Sequence, residues 1–119
     1  MSGFKLIKLS ELEKILDDTS QPLDKPLVVL FKWEKCGVCT VNVPIIEKLL
    51  SSPEVIGTTY NYWIDVDKED IWEEDQNNPR WQITVAPTYH VYDKNRKLVF
   101  EHRAFLSLEI LKDVIQKQI

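Results

Sequence analysis

The sequence predicts one α/β domain over residues 1–119, with a central mixed β-sheet and helices on both of its faces. The length, the 44% of hydrophobic residues and the 29% of charged residues are typical of a single globular domain. Strand and helix patterns alternate through most of the chain, which requires parallel strands joined by crossover connections. A short polar turn separates the last two strand patterns, which predicts an antiparallel hairpin and makes the sheet mixed.

The first predicted elements are a short strand and a helix. The strand covers Phe4–Lys8, and apolar residues at helical spacing follow it. Ser10 and Glu13 have the spacing of a capping box, in which the Ser10 hydroxyl accepts a hydrogen bond from the backbone N–H of Glu13. We therefore expect Ser10 to cap the first helix.

The centre of the sheet is predicted at Leu27–Phe31, a short and entirely apolar run. Such strands are buried on both faces, as in a sheet that helices cover on each side. A helix over Thr40–Leu50 and a strand over Tyr60–Val66 come next. Polar residues interrupt this second strand, so we expect it to be less buried than Leu27–Phe31.

An acidic segment follows, and we interpret Glu69–Gln76 as a helix. Its apolar residues Ile71 and Trp72 are the expected anchors to the core. The residues after it, Asn77-Asn78-Pro79, stop a helix because proline disfavours helical backbone in the residue before it.

The hairpin consists of strands at Pro87–Tyr92 and Leu98–His102. Asn95 lies in the turn between them and is a residue that tolerates a left-handed conformation. A last helix follows Ser107, with apolar residues along one side.

Charge and hydropathy exclude several classes of function. With 15 Lys and Arg against 19 Asp and Glu, the net charge of −4 argues against nucleic acid and anionic lipid as partners. The longest apolar run is Leu27–Phe31, far short of the ~20 residues that span a membrane. Charged residues near the N-terminus also break any signal-peptide pattern. We therefore expect a cytoplasmic monomer that binds neither membrane nor nucleic acid.

The chemistry is expected at Cys36 and Cys39, the only cysteines of the chain, which lie three residues apart. Paired cysteines in a reducing compartment indicate redox or metal chemistry more often than a structural disulfide. Cys36 follows the buried strand at the point where a helix begins. Unpaired N–H groups and the helix dipole there favour the thiolate, which is the form that attacks disulfides.

These residues resemble the thioredoxin family over almost the whole chain. The resemblance depends on strand Leu27–Phe31, on Cys36-Gly37-Val38-Cys39, on Pro44 five residues later, and on Val85-Ala86-Pro87-Thr88. It implies the thioredoxin fold, with a cis peptide bond before Pro87 and with Ala86 pairing its backbone with substrate.

The resemblance also implies the function of a thiol–disulfide oxidoreductase that acts on protein disulfides. Cys36 would attack the substrate and Cys39 would resolve the mixed disulfide, without a metal or an organic cofactor. The expected contacts of the substrate are Lys35, Gly37, Val38, Ala86 and Pro87. A flavoprotein disulfide reductase is the expected recycling partner.

The chain departs from the family at three places. Lys35 and Val38 replace the tryptophan and the proline of the usual Trp-Cys-Gly-Pro-Cys motif. Leu30 stands where thioredoxins have a buried aspartate, and Trp63 stands where they have its lysine partner. The joint loss is physically consistent, since losing one partner would leave an uncompensated buried charge.

Two other interpretations stay open at this stage. A zinc site needs four ligands, and the only histidines, His90 and His102, do not have the usual spacing of a zinc pair. We expect both to be structural. A thioredoxin-fold module that binds a partner without turnover is the other alternative, because a fold does not determine a function. Trp33 is expected either in the core, which we favour, or lining the groove in place of the missing tryptophan.

Overall fold

In the computed structural model, residues 3–119 are described, and a five-stranded mixed sheet organises them. The elements in chain order are β1 (Lys5–Leu6), α1 (Leu9–Asp17), β2 (Leu27–Lys32), α2 (Gly37–Leu50), β3 (Tyr60–Asp65), a 3-10 helix (Glu73–Asp75), β4 (Thr88–Tyr92), β5 (Leu98–Arg103) and α3 (Leu108–Lys117). The strand order is β1-β3-β2-β4-β5. Strands β1, β3 and β2 run parallel to one another, and β4 pairs antiparallel with both β2 and β5. The predicted mixed sheet is therefore confirmed.

The central strand β2 divides the core into two clusters, because its side chains alternate between the two faces of the sheet. Val28 and Leu30 join the cluster formed with α2 and α3. Val29 and Phe31 join the cluster formed with α1 and the segment after β3. All four are fully buried, as the apolar run predicts.

The predicted cap of α1 is wrong. The helix begins at Leu9, and the backbone N–H of Lys8 donates to Oε1 of Glu11 at 3.4 Å. Leu9 is buried in the core, which moves the start of the helix ahead of Ser10. Glu13 has another role, since its carboxylate accepts from Nε1 of Trp81 at 3.0 Å.

The acidic helix expected over Glu69–Gln76 is also wrong. Asp70 has a left-handed backbone with φ of 57°, and only Glu73–Asp75 forms a single 3-10 turn. Ile71 is fully buried. Its backbone N–H donates to the Val66 carbonyl, and its carbonyl accepts from the Ile83 N–H. Two adjacent apolar residues supply no helical stripe, so an extended path that buries Ile71 is formed instead.

The hairpin is confirmed, but its left-handed residue is Arg96, with φ of 66°, and not Asn95. The Arg96 side chain holds this conformation by donating to the backbone carbonyls of Ile15 and Gln21 at 2.8 and 2.7 Å. Asp93 orders the rest of the turn by accepting from two backbone N–H groups.

Candidate functional site

The two cysteines lie at the start of α2, on the side of the sheet that α2 and α3 cover. A disulfide joins Cys36 to Cys39, with their Cα atoms 5.2 Å apart. Cys36 immediately precedes Gly37, the first residue of the helix, and Cys39 lies within its first turn. Both cysteines are buried, whereas Lys35, Gly37 and Val38 around them are exposed. These three residues therefore form the exposed surface around the disulfide.

Electrostatics distinguish the two sulfur atoms. The backbone N–H of Cys39 donates to Sγ of Cys36 at 3.1 Å. In the reduced protein, this bond and the positive end of the helix dipole stabilise a thiolate on Cys36. Cys36 precedes the helix and Cys39 lies within its first turn, so this stabilisation acts on Cys36 first.

The loop before β4 lies against the same cluster as the cysteines. The Ala86–Pro87 peptide bond is cis, as the resemblance implies. Pro87 is buried, and Ala86 is half-buried and packs against the cluster that contains both cysteines. The loop is held by hydrogen bonds of 2.8 Å from the Thr88 hydroxyl to Val85 and from the Ala104 N–H to Pro87.

A buried polar network that was not predicted holds α2 against β4 and the segment after β5. Asn42 is 0% exposed, and its side-chain amide donates to the Leu106 carbonyl at 2.9 Å. Its Oδ1 accepts from the Leu106 N–H at 2.9 Å and from the Tyr89 hydroxyl at 3.0 Å. An asparagine three residues after Cys39, on the inner side of the helix, was the only signal in the sequence.

Trp33 is half-buried: it packs against the core cluster that holds the cysteines, and it also lines a surface groove, so it combines the two expected positions. Its ring packs edge-on against Trp72, with the ring centroids 5.5 Å apart. The groove has a volume of about 470 Å³. Its other lining residues are Asp67, Glu73, Glu74, Asp75, Ile83 and Thr84.

A second, smaller cavity of about 220 Å³ lies directly beside the disulfide. Both cysteines line it, and so do three charged residues, Lys32, Glu34 and Glu47. The Lys32 ammonium lies 3.8 Å from the ring centroid of Trp63, a cation–π contact. The cavity therefore has a carboxylate at more than one point of its wall.

The strands below the disulfide have no buried charge pair at the expected positions. Leu30 is fully buried, and it pairs in register with Trp63 across the parallel strands β2 and β3. Neither side chain carries a titratable group, so this part of the sheet places none below the disulfide.

Both histidines make hydrogen bonds within the fold, as expected of structural residues, and Nε2 of His102 lies 2.7 Å from the Phe105 carbonyl. His90 is buried on the other face of the sheet, where it contacts Phe31. Its Nε2 lies 2.9 Å from the Glu101 carboxylate and its Nδ1 lies 3.0 Å from the Tyr92 hydroxyl. Burial lowers the pKa of His90, against the opposing effect of Glu101. Across residues 3–119, no three His, Cys, Asp or Glu residues are grouped as a metal site requires.

No family model matches the sequence, and no curated protein matches it at a significant level. Solved structures do match over nearly the full chain. The thioredoxin of Malassezia sympodialis has 19% identity and a TM-score of 0.71, with 99% of this chain and 92% of that chain covered. The Fasciola hepatica thioredoxin has 20% identity and a TM-score of 0.71, with 98% and 100% covered. The Plasmodium falciparum thioredoxin has 25% identity and a TM-score of 0.67, with 97% and 99% covered.

The fold and the site together define a class. The chain is a thioredoxin-fold protein whose Cys-Gly-Val-Cys pair is closed as a disulfide. The resemblance read from the cysteine motif, the helix proline and the loop before β4 is therefore confirmed.

Proposed function

We propose that this protein is a thiol–disulfide oxidoreductase that exchanges the Cys36–Cys39 pair with the disulfides of protein substrates. The observation that carries the proposal is a disulfide within a CxxC at the N-terminus of a helix, in a thioredoxin fold. Helix N-termini stabilise thiolates, and thiolates are the attacking species in disulfide exchange. Neither zinc binding nor binding without turnover is favoured, because the two cysteines are joined to each other.

The reaction proceeds in two exchanges. The Cys36 thiolate attacks one sulfur of the substrate disulfide, and the other substrate sulfur leaves as a thiolate. Cys39 then attacks the sulfur of Cys36 in the mixed disulfide, which releases the second substrate sulfur and closes the Cys36–Cys39 bridge. Two electrons pass to the substrate, and no metal or organic cofactor takes part.

Ala86 is the proposed docking point for the substrate backbone. Among the residues that the structure describes, none hydrogen-bonds to the backbone N–H or C=O of Ala86. An extended peptide can use such free groups as a neighbouring strand would. Pro87 fixes the loop beside the cysteines, and Lys35, Gly37 and Val38 present the exposed rim around the disulfide.

A reduction assay tests this function. With dithiothreitol as electron donor, we expect the protein to accelerate the reduction of insulin disulfides and the Cys36→Ser variant to show only the rate of dithiothreitol alone. The Cys39→Ser variant is the matched control, because it keeps Cys36 and, when reduced, freed of dithiothreitol and mixed with insulin, should accumulate a mixed disulfide. A rate unchanged by Cys36→Ser would overturn the proposal.

The recycling partner, the oligomeric state and the compartment of the protein belong to the same proposal. Regeneration of the dithiol requires a reductant, for which we propose a flavoprotein disulfide reductase, and we propose a monomer in the cytoplasm. Both cysteines serve the CxxC and none remains for a structural disulfide, which fits a reducing compartment. Among the described residues, no helix has the length and apolar character needed to cross a membrane.

A further inference from the structure

The second exchange requires Cys39 to lose its proton, and the cavity beside the disulfide offers a path for that proton. Cys39 is 5% exposed, so its thiol has little direct contact with bulk water when it must lose its proton. Leu30 and Trp63 offer no titratable group below it. A proton can instead leave Cys39 through the cavity of about 220 Å³ that this residue lines. At about 30 Å³ for each water molecule, this cavity has room for several.

Of the charged residues lining this cavity, only two carry a group that can accept a proton at neutral pH. Lys32 is a cation and cannot accept one, so Glu34 and Glu47 remain. Glu34 is exposed and precedes the disulfide, where water hydrates its carboxylate. Glu47 is half-buried, and its Oε2 is fixed by the backbone N–H of Phe4 at 3.2 Å.

Glu47 also has the right place on the helix. Cys39, Val43 and Glu47 are spaced by four residues and share one stripe of α2. The Cα atoms of Cys39 and Glu47 are about 12 Å apart along the axis, and helical side chains lean toward the N-terminus, which shortens the gap. Both side chains line the same cavity, so water within it can carry a proton from one to the other.

The hydroxyl of Tyr89, which is buried nearby, does not compete for this role. It donates to Asn42 at 3.0 Å. Burial raises the pKa of Tyr89, and the charge of Glu47 adds to the effect, so the hydroxyl keeps its proton.

We propose that Glu47 is the proton acceptor for Cys39, which it reaches through water in the cavity beside the disulfide. The proposal rests on the oxidoreductase function. In the second exchange, the Cys39 sulfur forms a bond to Cys36 as the bond from Cys36 to the substrate sulfur breaks. The electron pair leaves with the substrate thiolate. The Cys39 proton passes along the water to Glu47, which later returns it to solvent or to the leaving thiolate.

The test separates the two exchanges by using a chromogenic aromatic disulfide, the dithiobis-nitrobenzoate reagent, held below the concentration of reduced protein. The first equivalent of coloured thiolate reports attack by Cys36, and the second reports resolution by Cys39. Glu47→Gln keeps a side-chain oxygen for the Phe4 N–H but removes the proton acceptor. Near neutral pH, we expect the second phase to slow by about a hundredfold, the low end of what a placed general base contributes. The first phase should not change.

The pH profile distinguishes proton transfer from a structural effect. The second phase of Glu47→Gln should recover toward the wild-type rate above the free thiol pKa of ~8.5, where hydroxide ionises Cys39 unaided. Glu47→Asp should restore part of the neutral rate, and Glu34→Gln, the matched cavity control, should leave it unchanged. Equal second phases at neutral pH, or a slowing that persists at high pH, would overturn the role of Glu47. A wild-type protein that releases no second equivalent would instead overturn the proposed function.

Discussion

At the scale of single residues, Lys35 is the cation next to the nucleophile in sequence, and it is exposed to solvent. With the Cys39 N–H donating to the Cys36 sulfur, its charge should hold the pKa of the Cys36 thiol below the free value of ~8.5. The same charges favour the reduced form, so we expect a reduction potential above the ~ −270 mV of thioredoxin.

The measurement is a thiolate absorbance titration of Cys36 in the Cys39→Ser background. Lys35→Ala should raise the pKa of Cys36 by about a few tenths, since exposed charge pairs contribute only ~0.2–1 kcal/mol. Glu34→Gln is the matched control of opposite sign and should lower this pKa. No rise with Lys35→Ala, or a rise with Glu34→Gln, would show that these neighbouring charges do not set the reactivity.

At the scale of the elements, Asn42 is the link between α2 and the segment after β5. Asn42→Ala removes the partner of three buried groups, the Leu106 carbonyl, the Leu106 N–H and the Tyr89 hydroxyl. Because an unsatisfied buried group costs ~1–3 kcal/mol, we expect a loss of about 3 kcal/mol in the free energy of unfolding. Urea denaturation of the oxidised protein measures it.

The control for this loss is Asn95→Ala, which truncates an exposed asparagine in the hairpin turn. It should change the free energy of unfolding by no more than about 0.5 kcal/mol. If Asn42→Ala were equally mild, the buried network would contribute little to holding α2 in place.

The sequence predicts those elements whose patterns reflect burial. Leu27–Phe31 had to be a central strand because five consecutive apolar residues need cover on both faces. The cysteine pair could be predicted because its chemistry requires a spacing that the sequence shows directly. The path of Glu69–Gln76 could not be predicted in this way. It depends on a backbone hydrogen bond from Ile83 to Ile71, and Ile83 lies twelve residues further along the chain.

Asn42 and Glu47 were missed for a related reason. Their roles depend on groups distant in sequence, the Leu106 backbone for Asn42 and the Phe4 N–H for Glu47. The sequence of a helix does not show whether a polar side chain hydrogen-bonds to water or to a distant backbone group. The packed structure shows that Asn42 and Glu47 bond to distant backbone groups.

At the scale of the whole molecule, the buried His90 makes stability depend on pH. Burial lowers its pKa in the folded protein below the 6.5 of the free side chain, while Glu101 opposes the shift. The unfolded chain therefore binds a proton more readily than the folded one. The resulting stability is present above pH 6.5 and is lost as the pH falls from there through the folded pKa.

We expect the free energy of unfolding of the wild type to fall more steeply between neutral and mildly acidic pH than that of His90→Gln. The glutamine is polar but does not titrate, so it removes the proton-linked part and leaves the acidic residues common to both proteins. Urea unfolding at a series of pH values gives the two slopes. Parallel curves would mean that His90 does not contribute to the acid sensitivity.

The strand order has a consequence for how the chain reaches its native state. The central strand β2 is flanked by β3, which follows it only after helix α2, and by β4, which comes later still in the chain. Leu27 pairs with Tyr60 on one side and with Tyr92 on the other, so both ladders close long loops. Such non-local pairing slows folding because the entropy of loop closure is lost before the contacts form. During synthesis on the ribosome, β2 therefore stays without its second partner until most of the chain has emerged, and its apolar residues are exposed to aggregation during that time.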